Sequence, residues 1–191
     1  KPMKGIFESH SHYDDCGFDG DREKILDYLL TDENSPVECI MHASTDEESA
    51  LFGVEMGKKY SNFYTSAGFH PECMDRLPEN YMEVLERLFD EHPEIRAVGE
   101  IGLDYHYDGY DRERQIELLS RQLEFANRRN LPVILHCRDA LVDFTELMKK
   151  FRPKGVVHCF SGSAETAEEM LKLGLYIGFT GVVTFKNAKK A

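Results

Sequence analysis

The sequence predicts an α/β fold in which parallel strands alternate with helices. Short apolar runs, most of them apolar on both faces, recur along the chain between longer stretches of helical periodicity. Strands of this kind are typical of a parallel sheet that helices cover. The predicted strands are residues 4–8, 37–42, 63–69, 95–100, 133–136, 156–159 and 175–179.

A helix is predicted between each pair of successive strands. In the fourth helix, Ile116, Leu119, Leu123 and Ala126 fall on one face, as packing against a sheet requires. Gly174 stops the sixth helix. No linker, low-complexity segment or internal repeat interrupts the pattern, so residues 1–191 are predicted to form a single domain. The predicted helices are residues 21–31, 46–60, 79–91, 112–129, 139–151 and 164–173.

The composition limits the class of protein. The chain has 191 residues, of which 41% are hydrophobic, and this suits one domain with a sizeable core. It contains no apolar run of about 18 residues, and its N-terminus lacks the apolar stretch of a signal peptide. The five cysteines have no Cys-x-x-Cys spacing, which argues against a disulfide framework. We therefore expect a cytoplasmic protein with no membrane partner.

The net charge of −12 argues against a globally basic, nucleic-acid-binding surface. An acidic protein can nevertheless bind phosphate when metal ions in its site supply the positive charge. The net charge alone therefore does not exclude a phosphate-containing substrate.

Potential metal ligands stand at the ends of four predicted strands. His10 and His12 follow the first strand, and Glu100, His136 and His158 end or adjoin the fourth, fifth and sixth strands. Residues two apart on an extended strand face the same side, so both imidazoles of the pair can reach one ion. Taken alone, the pair fits two hydrogen-bonded turn histidines equally well.

The positions of these ligands distinguish two architectures that fit a repeated βα pattern. In a TIM-type barrel the carboxyl ends of all strands converge on one mouth, whereas an open doubly wound sheet spreads them along a row. A shared metal site therefore favours the barrel. The absence of a Gly-x-Gly-x-x-Gly or P-loop sequence also gives no support to nucleotide binding on an open sheet.

Glu100 is the predicted catalytic residue because one carboxylate can bridge two ions. A carboxylate on an apolar strand is costly unless it is ionically compensated, and a salt bridge to an arginine is the alternative. Mixed histidine and carboxylate ligands suit transition metals. Two ions about 3.5–4 Å apart lower the pKa of a bridging water and clamp a phosphoryl group. One or two divalent ions are predicted: Zn, Mn, Mg, Ni or Fe.

Four further residues are candidates for binding the substrate. His70 ends the third strand, Asp104 and Arg138 follow candidate ligands, and Ser161 precedes a helix whose backbone N–H groups favour anions. His42 ends the second strand, and a structural role is the favoured interpretation for it.

At these residues the chain resembles the TatD family of metal-dependent deoxyribonucleases. The matching motifs follow the family order and span nearly the whole chain. They are Ser-His-Ser-His at 9–12, Gly-Phe-His-Pro at 68–71, Val-Gly-Glu-Ile-Gly-Leu-Asp at 98–104, Leu-His-Cys-Arg-Asp-Ala at 135–140 and Val-His-Cys-Phe-Ser-Gly-Ser at 157–163.

The resemblance implies a TIM-barrel hydrolase with one or two divalent metals. His10 and His12 would hold the first ion, Glu100 would bridge, and His136 and His158 would hold the second. The implied activity is DNA hydrolysis, including 3′–5′ exonuclease action on single strands. Some relatives remove D-amino acids from tRNA, so an ester or amide hydrolase is the alternative enzyme. A metal-binding remnant without turnover is the alternative outside enzymes.

The sequence departs from the family pattern in two places. Glu8 stands where the family usually has an aspartate. Family members also continue to an eighth strand that ends in a metal-binding aspartate, whereas this sequence ends soon after its seventh predicted strand. We therefore expect a barrel truncated before the eighth strand, impaired activity, and an open edge that promotes self-association.

Overall fold

The computed structural model describes residues 4–186 and 188, and these residues build one parallel sheet of seven strands. The strands are hydrogen-bonded in chain order, so each βα unit places its strand beside the preceding one. This confirms the predicted α/β class. The strands are β1 (Ile6–Ser11), β2 (Val37–His42), β3 (Phe63–Ala67), β4 (Ile95–Asp104), β5 (Val133–Arg138), β6 (Gly155–Val157) and β7 (Leu175–Ile177).

The α-helices connect successive strands, and their bounds agree with the predicted ones to within two residues. Side-chain caps explain several of the starting points. Asp46, Asp111 and Ser163 each accept a hydrogen bond from the backbone N–H three residues further on. The helices of the described residues are α1 (Arg22–Thr31), α2 (Glu47–Lys59), α3 (Tyr81–Glu91), α4 (Arg112–Arg129), α5 (Leu141–Phe151) and α6 (Ala164–Lys172), with 3₁₀ segments at Cys16–Phe18, Pro71–Arg76 and Gly181–Thr184.

The main hydrophobic core lies between the sheet and α3, α4 and α5. On α4, Leu119, Leu123 and Ala126 are fully buried and Ile116 is partly buried, as the helical periodicity predicts. They pack in one cluster with apolar side chains of β4 and β5. Each buried leucine contributes roughly 1.5–3 kcal/mol relative to an exposed one.

The sheet curls so that strands far apart in its order meet at their carboxyl ends. His10 of β1 and His158, directly after β6, stack with ring centroids 3.5 Å apart. In a flat sheet the roughly 4.8 Å strand spacing would separate these two strands by about 24 Å. The carboxyl ends therefore converge on one mouth, as predicted for a TIM-type barrel. Within the described residues, β1 pairs only with β2, and β7 pairs only with β6.

Glu100 lies inside β4, which corrects the prediction that this strand ends there. The pairing of β4 with β5 is irregular between Val98 and Ile101, and regular pairing then continues to Asp104. The bulge at Glu100 lets the chain turn its carboxylate toward the mouth without ending the strand.

β1 ends three residues later than predicted, so His10 lies within the strand and not after it, and β5 ends two residues later. β3, β6 and β7 end two residues earlier than predicted. At β6 the reason is local, because Cys159 has a φ of 46°, which takes the chain out of the extended conformation. After β3, His70 and Pro71 lead into a 3₁₀ segment instead of extending the strand.

None of the helices in the described part of the chain combines the length and the apolar character that crossing a bilayer requires.

Candidate metal centre

The carboxylate of Glu100 lies at the centre of the mouth and is 3% exposed. Its Oε2 lies 3.3 Å from Nε2 of His10 and 3.6 Å from Nε2 of His12. Its Oε1 lies 3.2 Å from Nδ1 of His136 and 3.4 Å from Nε2 of His158. The two oxygens thus face different pairs of imidazoles, and no arginine pairs with Glu100 among the described residues.

The imidazoles of His10 and His12 face the same side of the backbone, as their spacing of two residues predicts. The two Nε2 atoms are 3.0 Å apart, and both are directed toward the same Glu100 oxygen. This convergence favours metal binding over the alternative of two independent turn histidines.

Glycines on both sides of Glu100 allow β4 to approach β5 closely. A Cβ on Gly102 would lie 1.9 Å from the carbonyl oxygen of His136, and one on Gly99 would lie 2.7 Å from Cβ of Ile134. The backbone N–H of Glu100 donates to the carbonyl of Ser44 at 2.5 Å. These contacts fix the position from which the carboxylate enters the site.

The surroundings of Glu100 keep it ionised. Burial alone would raise its pKa, but hydrogen bonds with His10 and His136 hold the pKa of Glu100 well below its ordinary value. Burial alone would lower the pKa of His136, yet the neighbouring carboxylates of Glu100 and Asp104 raise it overall. The buried negative charge therefore attracts cations into the mouth.

The opposite shift at His158 suits it to metal binding. Burial is the main cause that lowers the pKa of His158 to about 3, and the nearby His10 adds to the effect. The ring is therefore neutral at physiological pH, which is the form that coordinates metals. Nδ1 of His158 and Nδ1 of His10 are buried without a hydrogen-bond partner in the described part of the chain.

His70 joins the cluster, but its tautomer makes it a hydrogen-bond donor. Its Nδ1 accepts a hydrogen bond from the backbone N–H of Glu72 at 3.2 Å, at the start of the 3₁₀ segment. Burial lowers the pKa of His70 to about 4, so the ring is neutral and its proton resides on Nε2. That Nε2 lies 3.8 Å from Oε1 of Glu100 and points a donor into the site.

The donor atoms have the spacing that a metal centre requires. In a tetrahedral site with bonds of about 2.0–2.1 Å, neighbouring ligand atoms lie roughly 3.3–3.4 Å apart. The contacts of Glu100 with His10, His12, His136 and His158 span 3.2–3.6 Å. On the Oε2 side, Nε2 of His10 and Nε2 of His12 also lie 3.0 Å apart, so these residues fit a divalent ion beside Glu100. The contacts of Oε1 with His136 and His158 fall in the same range of distances.

The same atoms also admit another grouping. The ligand atoms of His10, Glu100 and His158 lie within 4.8 Å of one another, as do those of His70, Glu100 and His136. The proton on Nε2 of His70 argues against the second of these sets. Proximity to the individual oxygens of Glu100 supports the division predicted from the sequence.

Asp104 contacts the cluster through His136. Its Oδ2 accepts a hydrogen bond from Nε2 of His136 at 2.9 Å, and its Oδ1 accepts one from the backbone N–H of His106 at 2.9 Å. The contact with His136 was missed at the sequence level, where Asp104 is a candidate for binding the substrate. The signal was available, because Glu100 and Asp104 are four residues apart and face the same side of an extended strand.

The remaining predicted substrate contacts lie at the rim. Arg138 is at the end of β5, and its guanidinium lies over the ring of Tyr107. Ser161 is exposed beside a small cavity of about 180 Å³ whose wall, within the described residues, contains none of the candidate metal ligands. Ser163, two residues further, caps α6.

The cysteines that follow two of the histidines differ from each other. Burial raises the pKa of Cys137 to about 12, so this thiol stays protonated and packs against the core as a partly buried apolar group. Cys159 contacts Oγ1 of Thr180 at 3.2 Å and lines a cavity with His10 and His158.

His42 is a buried structural residue, as the sequence suggested. It is fully buried, Nε2 lies 3.2 Å from the carbonyl of Ser49, and its ring packs against Phe52 and Phe63. Burial lowers the pKa of His42 to about 4, although the nearby Asp14 raises it in part.

Acid is therefore expected to destabilise the protein between the unperturbed histidine pKa of 6.5 and the folded value of about 4. In this window the unfolded chain binds a proton that the folded His42 rejects, which costs up to roughly 3 kcal/mol at the lower end. Urea unfolding in EDTA at a series of pH values tests this. The His42→Gln variant keeps an N–H donor, and its free energy of unfolding should depend less steeply on pH than that of the wild type. The control variant His92→Gln should show the same pH dependence as the wild type. Equal slopes for His42→Gln and wild type would refute the assignment.

A curled parallel βα sheet whose mouth holds a buried carboxylate among histidines defines the class of metal-dependent barrel hydrolases. The family model described as TatD related DNase matches residues 7–191. The chain belongs to the TatD family.

Individual relatives agree with this assignment. The chain is 35% identical over 189 residues to the uncharacterized metal-dependent hydrolase YabD of Bacillus subtilis, covering 97% of this chain and 72% of that protein. It superposes on the crystal structure of YjjV, a TatD homologue from Escherichia coli, with a TM-score of 0.88 and 34% identity, covering 97% of this chain and 71% of that one. It is 31% identical over 169 residues to the 3′-5′ ssDNA/RNA exonuclease TatD of Cronobacter turicensis, covering 87% and 63% respectively.

Proposed function

We propose that the protein hydrolyses phosphodiester bonds in single-stranded DNA from the 3′ end, using divalent ions held at Glu100. The observation that carries this proposal is the carboxylate whose two oxygens each face a separate pair of imidazoles. Such an arrangement suits two-metal hydrolysis of phosphate esters. The similarity to a relative named as an exonuclease supports the choice of substrate.

In this proposal the ligands are divided by the oxygens of Glu100. His10 and His12 would hold one ion beside Glu100, and His136 and His158 would hold the other. When bound, the ions lower the pKa of a water and stabilise negative charge on the phosphoryl group. Glu100, whose two oxygens face the two pairs of imidazoles, would be shared between the two ions.

The surrounding residues position the phosphate. The Nε2–H of His70 points into the site, where a non-bridging phosphate oxygen can accept its proton in a hydrogen bond. Arg138 offers a guanidinium at the rim, and guanidinium groups match phosphate oxygens in geometry and charge. Asp104 holds His136 in its orientation.

Digestion of a 5′-labelled single-stranded oligonucleotide tests the activity. With Mn²⁺ we expect a ladder that shortens from the 3′ end, complete inhibition by EDTA, and recovery when Mn²⁺ is added in excess. The His158→Gln variant should lose at least about a hundredfold in rate, since it lacks one ligand. The matched control His92→Gln, which changes a histidine at the end of α3, should retain activity.

Three outcomes would contradict the proposal. Cleavage that survives EDTA would exclude the metal mechanism. Hydrolysis of an aminoacyl ester without any oligonucleotide cleavage would favour the deacylase alternative. A metal-dependent rise in melting temperature without turnover of either substrate would indicate a metal-binding protein that is not a hydrolase.

A further inference from the structure

The loop between β4 and α4 carries exposed tyrosines next to the metal centre. Tyr107 is 58% exposed and Tyr110 is 44% exposed. The loop begins directly after Asp104, which contacts His136. These aromatic rings therefore lie at the rim of the mouth, a few residues from the cluster.

Several side-chain contacts and hydrogen bonds stabilise the conformation of this loop. The ring of Tyr105 stacks on that of Tyr110 with centroids 4.4 Å apart and an interplanar angle of 8°. The hydroxyl of Tyr105 donates to Asp143 at 2.8 Å, and Asp111 caps α4. The backbone N–H of His106 donates to Asp104. Tyr107 is thus presented to solvent from a loop whose two ends are fixed.

Tyr107 has a positively charged neighbour on one side of its ring. The guanidinium carbon of Arg138 lies 5.4 Å from the ring centroid, and Nη1 lies 3.5 Å from the tyrosine hydroxyl. A guanidinium in this position orients the ring through a cation–π contact. It also places a phosphate-binding group beside an aromatic surface.

Tyr107 also lines a cavity of about 690 Å³ beside the metal centre. The cavity adjoins the site, because its wall includes Pro71, next to His70, and Asp104, which contacts His136. Small-molecule pockets generally measure about 300–1,000 Å³, so this one has room for a nucleoside.

The charge of the cavity selects which part of a nucleotide can enter. Glu72, Asp75, Asp108 and Asp111 line it, with Arg114 as the basic residue among its lining side chains. Such a wall repels phosphate but accepts hydrogen bonds from the exocyclic amino groups of bases. The phosphate is then directed to the Arg138 side and the base to the cavity side.

We propose that Tyr107 stacks on a nucleobase of the substrate and, with Arg138, binds the nucleotide adjacent to the metal centre. This inference rests on the proposed nucleic-acid substrate. Stacking on an aromatic side chain strengthens binding of single strands by roughly 5- to 150-fold per base. Stacking itself tolerates any base, whereas the acidic wall of the cavity favours bases that carry an exocyclic amino group.

Binding of a short fluorescent single-stranded oligonucleotide in Ca²⁺, compared with an abasic strand of equal length, tests the proposal. The Tyr107→Ala variant should bind the base-bearing strand roughly tenfold more weakly, whereas Tyr107→Phe should bind like wild type. Affinity for the abasic strand should be unchanged in both variants. Tyr28→Ala, which removes a tyrosine of similar exposure from α1, is the matched control and should have no effect.

Equal affinity of the wild type for base-bearing and abasic strands would overturn the proposal, as would equal weakening of both strands by Tyr107→Ala or no binding at all. Cleavage assays in Mn²⁺ separate this failure from that of the proposed function. Tyr107-dependent binding without cleavage would refute the nuclease assignment alone. A cleavage rate that depends neither on Tyr107 nor on the presence of bases in the strand would refute the stacking role alone.

Discussion

The Glu100→Gln variant is expected to lose both hydrolytic activity and metal-dependent stabilisation. Glutamine preserves the size of the side chain but replaces two anionic oxygens with one neutral oxygen and one amide NH₂. The NH₂ group cannot accept a bond to a metal, and the neutral amide oxygen is a weaker ligand than a carboxylate oxygen, so both sides of the site lose the anionic ligand that attracts an ion. Because bound ions contribute several kcal/mol to stabilising the transition state, the rate should fall about a thousandfold or more.

Melting curves with and without Mn²⁺ measure the metal-binding half of this prediction. The wild type should melt at a higher temperature when Mn²⁺ is added, because an ion that binds only the folded state stabilises it. The Glu100→Gln curve should not shift. Glu117→Gln, which changes an exposed glutamate on α4, should behave as the wild type does. A Glu100→Gln protein that is still stabilised by Mn²⁺ would show that the ions bind elsewhere.

The helices and the general order of the fold were predictable because their signals are local. Apolar residues such as Leu119 and Leu123 recur at helical spacing, and acidic or hydroxyl residues such as Asp111 and Ser163 cap the helices that follow. The convergence of the strand ends was inferred indirectly, from the chemistry of the residues placed there. That inference succeeded because metal ligands must meet in space, and a barrel is the parallel arrangement that brings them together.

Other features depend on contacts between distant segments, and the sequence pattern did not show them. The extension of β4 beyond Glu100 depends on pairing with β5, where Gly102 faces His136. The tautomer of His70 depends on the 3₁₀ segment that begins at Pro71. The position of Cys159 depends on a left-handed backbone conformation that strand alternation does not anticipate.

The Asp104→Asn variant distinguishes a residue that supports a metal ligand from one that binds the substrate. Both oxygens of Asp104 are engaged, one by His136 and the other by the backbone N–H of His106. Asparagine has one acceptor oxygen, so one of these donors would face an NH₂ group. His136 would also lose the anionic partner that holds its ring and increases its basicity as a ligand.

We therefore expect Asp104→Asn to weaken metal binding about 10- to 100-fold, the usual effect of losing a carboxylate behind a ligand histidine. Competition with a chromophoric chelator measures the affinity for Zn²⁺ or Mn²⁺, and Asp108→Asn, at an exposed carboxylate of the same loop, is the control. If Asp104 contacts the substrate instead, the variant should keep its metal affinity and raise only KM for the oligonucleotide. At saturating metal the supporting role predicts that much of the lost activity returns, because the added metal compensates for weaker ligands but not for a missing substrate contact.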